Sequence, residues 1–181
     1  MPIYVGASGP AAARLAGRVA DGFITTSGKA PELYSETLLP ALRDGADKAE
    51  RRIGDLDLMI EMKVSFDHDR ARALADTRHW AALALSPEEK TGVEDPVEMQ
   101  RLADALPIER AASRWIVSDD PDEHVERIRP YVDLGFRPLV FHAPGPDQAR
   151  FLELYGAEVL PRLRALQATT ADAIVEPASR P

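Results

Sequence analysis

Four short apolar runs, each followed by a helical pattern, constrain this chain more than anything else in it. The runs are Ile3–Ala7, Gly22–Thr25, Leu56–Phe66 and Arg137–His142, rich in Ile, Val, Leu and Phe as strands buried in a parallel sheet must be. Helical patterns follow over Gly9–Val19, Pro31–Arg51 and Arg70–Leu85, and from about Pro146, where Phe151, Tyr155, Val159 and Leu163 recur at i, i+4 on one face. Pro40 is expected to kink the second helix or end its first segment. Between the third and fourth runs lies an insertion, roughly Ser86–Ser118, with helices near Pro96–Leu106 and Ile108–Arg114. Asp120-Pro121-Asp122-Glu123 then reads as a capped helix start, Val125, Ile128 and Val132 as its buried stripe, and Gly135 as its stop. Repeated βα units dictate a parallel sheet. Four of them make either a small open α/β sheet or half of an eight-stranded βα barrel, and both gather ligands at the C-terminal strand ends.

At 181 residues and 45% apolar, the chain can bury a core of its own. A net charge of −8 excludes a general nucleic-acid or anionic-membrane binder, because such proteins need a basic face. With no cysteine there is neither a disulfide framework nor a thiolate metal site, which fits a reducing, cytoplasmic setting. No apolar stretch is long enough to span a membrane, and the first residues lack the basic and apolar regions of a signal peptide. Residues 168–181, rich in Ala, Thr and Pro, read as a disordered tail behind a domain of residues 1–167.

Chemistry concentrates where the sheet directs it. Gly22-Phe23-Ile24-Thr25-Thr26-Ser27-Gly28-Lys29 ends a strand in a hydroxyl-rich, glycine-containing turn that closes on a lysine, just ahead of a helix started by Pro31. Backbone N–H groups, the positive end of the helix dipole and a full lysine charge then converge on one point, which is how an α/β protein holds an anion. Ser8-Gly9, the segment after Phe66 and His142-Ala143-Pro144-Gly145 occupy equivalent strand ends. His142 ends a strand at that rim, where ligand contact, capping and packing are all open to it. Glu61, inside a mostly apolar strand, needs a partner, with Lys63 or Arg137 at hand. His68 and His79 have no helical metal-pair spacing. Trp80 and Trp115 read as core rather than as stacking platforms, and Arg51-Arg52 and Arg162–Arg164 as solvated helix surface.

In order along the chain stand Ala7-Ser8-Gly9-Pro10, Asp21-Gly22-Phe23-Ile24, Thr26-Ser27-Gly28-Lys29, Leu58-Met59-Ile60-Glu61-Met62-Lys63, Ala84-Leu85-Ser86-Pro87-Glu88-Glu89-Lys90, Ala105-Leu106-Pro107-Ile108-Glu109, Arg114-Trp115-Ile116-Val117 and Leu139-Val140-Phe141-His142-Ala143-Pro144-Gly145. Together these blocks resemble the C-terminal half of the coenzyme F420-dependent glucose-6-phosphate dehydrogenases, members of the bacterial-luciferase-like (β/α)8 TIM-barrel superfamily. The resemblance runs from about Pro2 to Leu163. It implies the second half of the barrel, with four βα units and the helical insertion before the last strand. It further implies that Thr26, Lys29, Lys90 and Arg114 hold the phosphate of glucose 6-phosphate, and that Ser8, Gly9, Ala11 and Ala12 border coenzyme F420, an 8-hydroxy-5-deazaflavin. The assignment suits the chemistry: a phosphate dianion takes several charge-assisted bonds, and small residues let a backbone approach a planar ring.

The same resemblance implies oxidation of the sugar phosphate to its lactone. The family's catalytic histidine, tryptophan and glutamate lie in an N-terminal half that this chain does not match. No catalytic residue is therefore expected here, and the chain alone is expected to be inactive. It would be a truncated reading frame, the partner of a complementing N-terminal half, or a homodimer that closes its own sheet. Two other functions remain on these residues: another F420- or FMN-dependent luciferase-like oxidoreductase, and a non-catalytic half barrel that binds sugar phosphate.

Overall fold

In the computed structural model, which describes residues 1–175 and side chains through Ala168, strands and helices alternate as the apolar runs require. In chain order come β1 (Tyr4–Gly6), α1 (Pro10–Val19), β2 (Gly22–Thr26), α2 (Leu39–Lys48), β3 (Asp57–Phe66), α3 (Arg70–Asp76), α4 (Pro87–Lys90), α5 (Pro96–Asp104) and α6 (Ile108–Ala112). β4 (Ile116–Ser118), α7 (Pro121–Asp133), β5 (Leu139–His142), α8 (Gln148–Leu154) and α9 (Leu160–Val175) complete the order. No described helix is long and apolar enough to cross a membrane.

Two compact units partition these elements. The first comprises Met1–Met62, Ile128–Phe141 and the stretch beginning at Gln167. In it β1, β2 and the first half of β3 pair in parallel, with Val5 opposite Phe23 and Thr26 opposite Glu61. Bonds from Arg137 N to Leu58 O (2.9 Å) and from Ile60 N to Pro138 O (3.1 Å) lead into the pairing of β5 with β3. Parallel pairing puts the strands' C-terminal ends together, and Ala7 N to Ile24 O (2.9 Å) and Ser27 N to Glu61 O (2.8 Å) extend the ladder past them. The core beneath contains Phe23, Tyr34, Leu38, Leu42, Ile60 and Phe136. Tyr34 meets Tyr131 edge-on at 5.3 Å and Phe136 at 6.4 Å.

The second unit comprises Lys63–Arg127 and His142–Leu166. There the end of β3 pairs in parallel with β4, Val64 opposite Ile116 and Phe66 opposite Ser118. β4 lies inside the segment read as a helical insertion, directly after the α6 pattern. The insertion helices carry their own small core of Ala81, Leu85, Ala103, Leu106 and Ala111. Asp67, buried near the end of β3, accepts two bonds from Arg150 (2.6 and 2.9 Å), and that guanidinium holds its carboxyl down at about 2.

Four local features depart from the patterns in the sequence, and proline explains the first. Leu33–Leu38 and Tyr155–Val159 are π-helical turns, and each directly precedes a Leu-Pro pair, Leu39-Pro40 and Leu160-Pro161. A proline lacks the N–H for the i−4 carbonyl and its ring collides with that carbonyl. Widening the turn before it removes the conflict, so the helix around Pro40 continues where a kink or end was expected. The third helix ends earlier than its pattern, at Asp76, and continues as a 3-10 segment, Thr77–Ala84, that breaks at Trp80. Trp80 is also not core: it is 45% exposed, whereas Trp115 is buried as expected. Lastly, α9 runs to Val175, into the segment read as a disordered tail; residues 176–181 lie outside those described.

Candidate functional site

In the first unit, an open cleft of about 360 Å³ lies at the strand ends, lined by Gly6, Ala7 and Ser8 after β1, Ile24, Thr25 and Thr26 of β2, and Glu61 of β3. Two residues marked from the sequence, Ser8 and Thr26, thus meet in one cavity. Gly9 is the cap residue of α1 and makes no side-chain cap; Pro10 follows it at the first turn. The N–H groups of Ala11 and Ala12 therefore fall in a first turn whose donors the helix does not use itself. A Cβ on Gly9 would meet no atom within 4 Å, so the approach to that turn is open.

Thr26 is set by more than its strand. The Tyr34 hydroxyl donates to the Thr26 carbonyl at 2.8 Å, which ties the end of β2 to the helical turn that follows. Gly28 then adopts φ 77°, the left-handed conformation that brings Lys29 round before the helix begins at Pro31. Tyr34 had no signal in the sequence: a tyrosine one helical turn into an amphipathic pattern reads as core, and its ring is indeed core while its hydroxyl acts on the loop. Glu61, marked in the sequence as a carboxylate inside an apolar strand, lies across from Thr26 in register and lines the cleft.

Lys90 and Arg114 belong to the second unit. Lys90 is the last residue of α4, a single turn set by a reciprocal capping box: Ser86 N donates to Glu89 Oε2 at 2.7 Å, and Glu89 N to Ser86 Oγ at 3.3 Å. Arg110 of α6 donates to Glu89 Oε1 at 2.9 Å and holds that carboxyl below its ordinary range. The residue before Lys90 is thereby fixed from two sides. Arg114, just past α6, gives one N–H to the Leu83 carbonyl at 3.3 Å, while its buried Nε has no hydrogen-bond partner. A buried guanidinium N–H left in that state carries an unmet desolvation cost, which negative charge beside the guanidinium would lower. His142, at the end of β5, lies edge-on to Trp80 at 4.5 Å and to Trp115 at 5.0 Å.

Residues 1–138 match the family model described as luciferase-like monooxygenase. The chain belongs to the luciferase-like monooxygenase family. Among curated luciferase-like relatives, the F420-dependent glucose-6-phosphate dehydrogenase of Nakamurella multipartita is 78% identical over 166 residues, covering 92% of this chain and 49% of its own length. The protein of the same name from Beutenbergia cavernae is 73% identical over 165 residues, 91% of this chain and 49% of that one. Among solved structures, an F420-dependent secondary alcohol dehydrogenase with an F420–acetone adduct shares the fold, with a TM-score of 0.76 at 24% identity over 91% of this chain and 49% of that one. Coenzyme F420-dependent tetrahydromethanopterin reductase from Methanopyrus kandleri aligns with a TM-score of 0.70 at 26% identity, covering 90% and 51%. This luciferase-like chain spans about half the length of the curated relatives it matches.

Proposed function

We propose that this chain supplies the sugar-phosphate clamp and one wall of the coenzyme pocket of an F420-dependent glucose-6-phosphate dehydrogenase. The observation that carries the reading is the 78% identity, over 92% of the chain, to a relative of that name. For the phosphate dianion the chain offers Thr26 and Lys29 at the end of β2 in the first unit, and Lys90 and Arg114 on the insertion in the second. Arginine brings a planar fork of donors, the lysines point charges, and Thr26 a hydroxyl. Ser8, Gly9, Ala11 and Ala12 suit coenzyme F420: the uncapped first turn of α1 offers N–H groups, and the open space at Gly9 lets a flat ring approach the backbone. Bound there, the coenzyme supplies a hydride acceptor. What these residues do is orient the sugar phosphate and coenzyme against each other.

The proton-handling groups come from a luciferase-like N-terminal half, so the chain alone binds but does not turn over. The working assembly is that half joined to this one, or a homodimer, in the cytoplasm. Calorimetry on the purified chain with glucose 6-phosphate, glucose and coenzyme F420 tests the reading. Binding of the phosphorylated sugar and the coenzyme, with glucose far weaker, is the expected result; equal affinity for glucose and its phosphate would overturn it. Arg114→Ala is expected to weaken glucose 6-phosphate binding by about 1.5–3 kcal/mol, the worth of a charge-assisted bond. Arg114→Lys restores the charge but not the fork, so it should recover only part of that loss.

A further inference from the structure

We infer that Trp80 is the platform on which the ring of the sugar phosphate stacks, a subsite that rests on the function proposed above. Trp80 is 45% exposed, yet the segment that carries it is held in place. The Thr77–Ala84 segment is pinned on three counts: Arg78 donates to the Leu106 carbonyl at 2.6 Å, Arg114 donates to the Leu83 carbonyl, and Ala81, next to Trp80, is 1% exposed in the insertion core. The backbone leaves helical geometry at Trp80 itself (φ −124°, ψ 24°) while its neighbour stays inside. His142 stands perpendicular to the indole (88°) at 4.5 Å, and the buried Trp115 backs His142. The indole is thus both presented and held.

What it is presented to follows from charge. The guanidinium of Arg114, with a buried Nε lacking a partner, is anchored three residues further along the same segment, and Lys90 follows one short turn later. An anion on Arg114 brings whatever is attached to it towards this stretch of surface. A pyranose offers apolar C–H faces between its hydroxyls, and an indole matches such a face in area and polarity. Trp80 therefore separates a ring-form sugar phosphate from phosphate alone.

The chain contains two tryptophans, so the test can be read optically. Titration of the 181-residue chain with glucose 6-phosphate should change its intrinsic fluorescence, and inorganic phosphate should change it much less. Trp80→Phe keeps a flat ring, so it should bind the sugar phosphate nearly as tightly while the fluorescence response disappears. Trp80→Leu should weaken glucose 6-phosphate by about tenfold and leave inorganic phosphate unchanged. If glucose 6-phosphate binds wild type and Trp80→Leu equally, the platform is refuted and the proposed function stands. If wild type binds no glucose 6-phosphate, both fall. Should Trp80→Leu fail to fold, a wild-type fluorescence response that survives in Trp80→Phe would still refute the platform.

Discussion

Gly45→Ala is expected to destabilise the first unit by about 3 kcal/mol, at the upper end of what overpacking costs. The reason is how closely α1 and α2 cross. A Cβ at Gly45 would lie 2.0 Å from the Arg14 carbonyl oxygen, and one at Gly17 would lie 2.1 Å from that of Leu42. Both obstacles are backbone, so no side chain can swing away; the helices must separate, and with them the buried residues Ala13, Ala16, Leu42 and Ala46 along the contact. Alanine is the better helix former by about 1 kcal/mol, which opposes the clash. Urea denaturation decides between the two: a variant as stable as wild type would show that the helices do not cross this closely. Gly54→Ala serves as control, since a Cβ there meets nothing within 4 Å.

Acid should destabilise the second unit through His124. This residue of α7 is fully buried, edge-on to Phe66 at 5.3 Å and to Tyr155 at 5.5 Å, and burial pushes its imidazole down to about 4 from 6.5. The backbone at Ser118 and Ser65 and the charge of Glu123 favour the charged form, but desolvation, with Arg127 acting in the same direction, outweighs them. The unfolded chain binds a proton near pH 6.5 that the folded chain refuses until about pH 4. Between those values the unfolded state holds more protons, so stability is full above pH 6.5 and falls as the pH drops. By pH 4 the loss amounts to about 3 kcal/mol. Denaturant titrations at pH 7, 5.5 and 4 should show this fall in wild type and a much shallower one in His124→Leu. An equal fall in both would assign the acid sensitivity to other groups. Asp67, held at about 2, contributes in a lower window, since its stabilisation is lost only as the pH falls below the ordinary carboxylate range.

How far the sequence could be read depended on the range over which each feature is encoded. The βα order, the strand-end turn Thr26-Ser27-Gly28-Lys29, the helix start at Pro121 and the glycine stop at Gly135 (φ 96°) are local, and each lies where it was expected. β4 was missed, although β1 is equally short, because Ile116–Ser118 follows directly on a helical pattern and reads as part of the insertion. The glycines at 17 and 45 read as ordinary helix positions, because nothing along one helix tells how near its neighbour lies. Trp80 read as core because hydrophobicity alone cannot show that the turn carrying it breaks outward while Ala81 stays inside.

The residues proposed for the phosphate show the same division. Thr26 and Lys29 could be named from the chemistry of a strand-end turn, and Lys90 and Arg114 only from the family resemblance of the blocks around them. That Tyr34 holds the Thr26 carbonyl, that Glu61 shares a cleft with Ser8, and that Arg110 steadies the turn before Lys90 could not. What the sequence by itself determined is the family, the order of βα units and the residue types at their ends, all carried by short-range patterns. Only the tertiary structure decided which side chains meet and which are left exposed or unpaired, because those outcomes depend on distances between segments far apart in the chain.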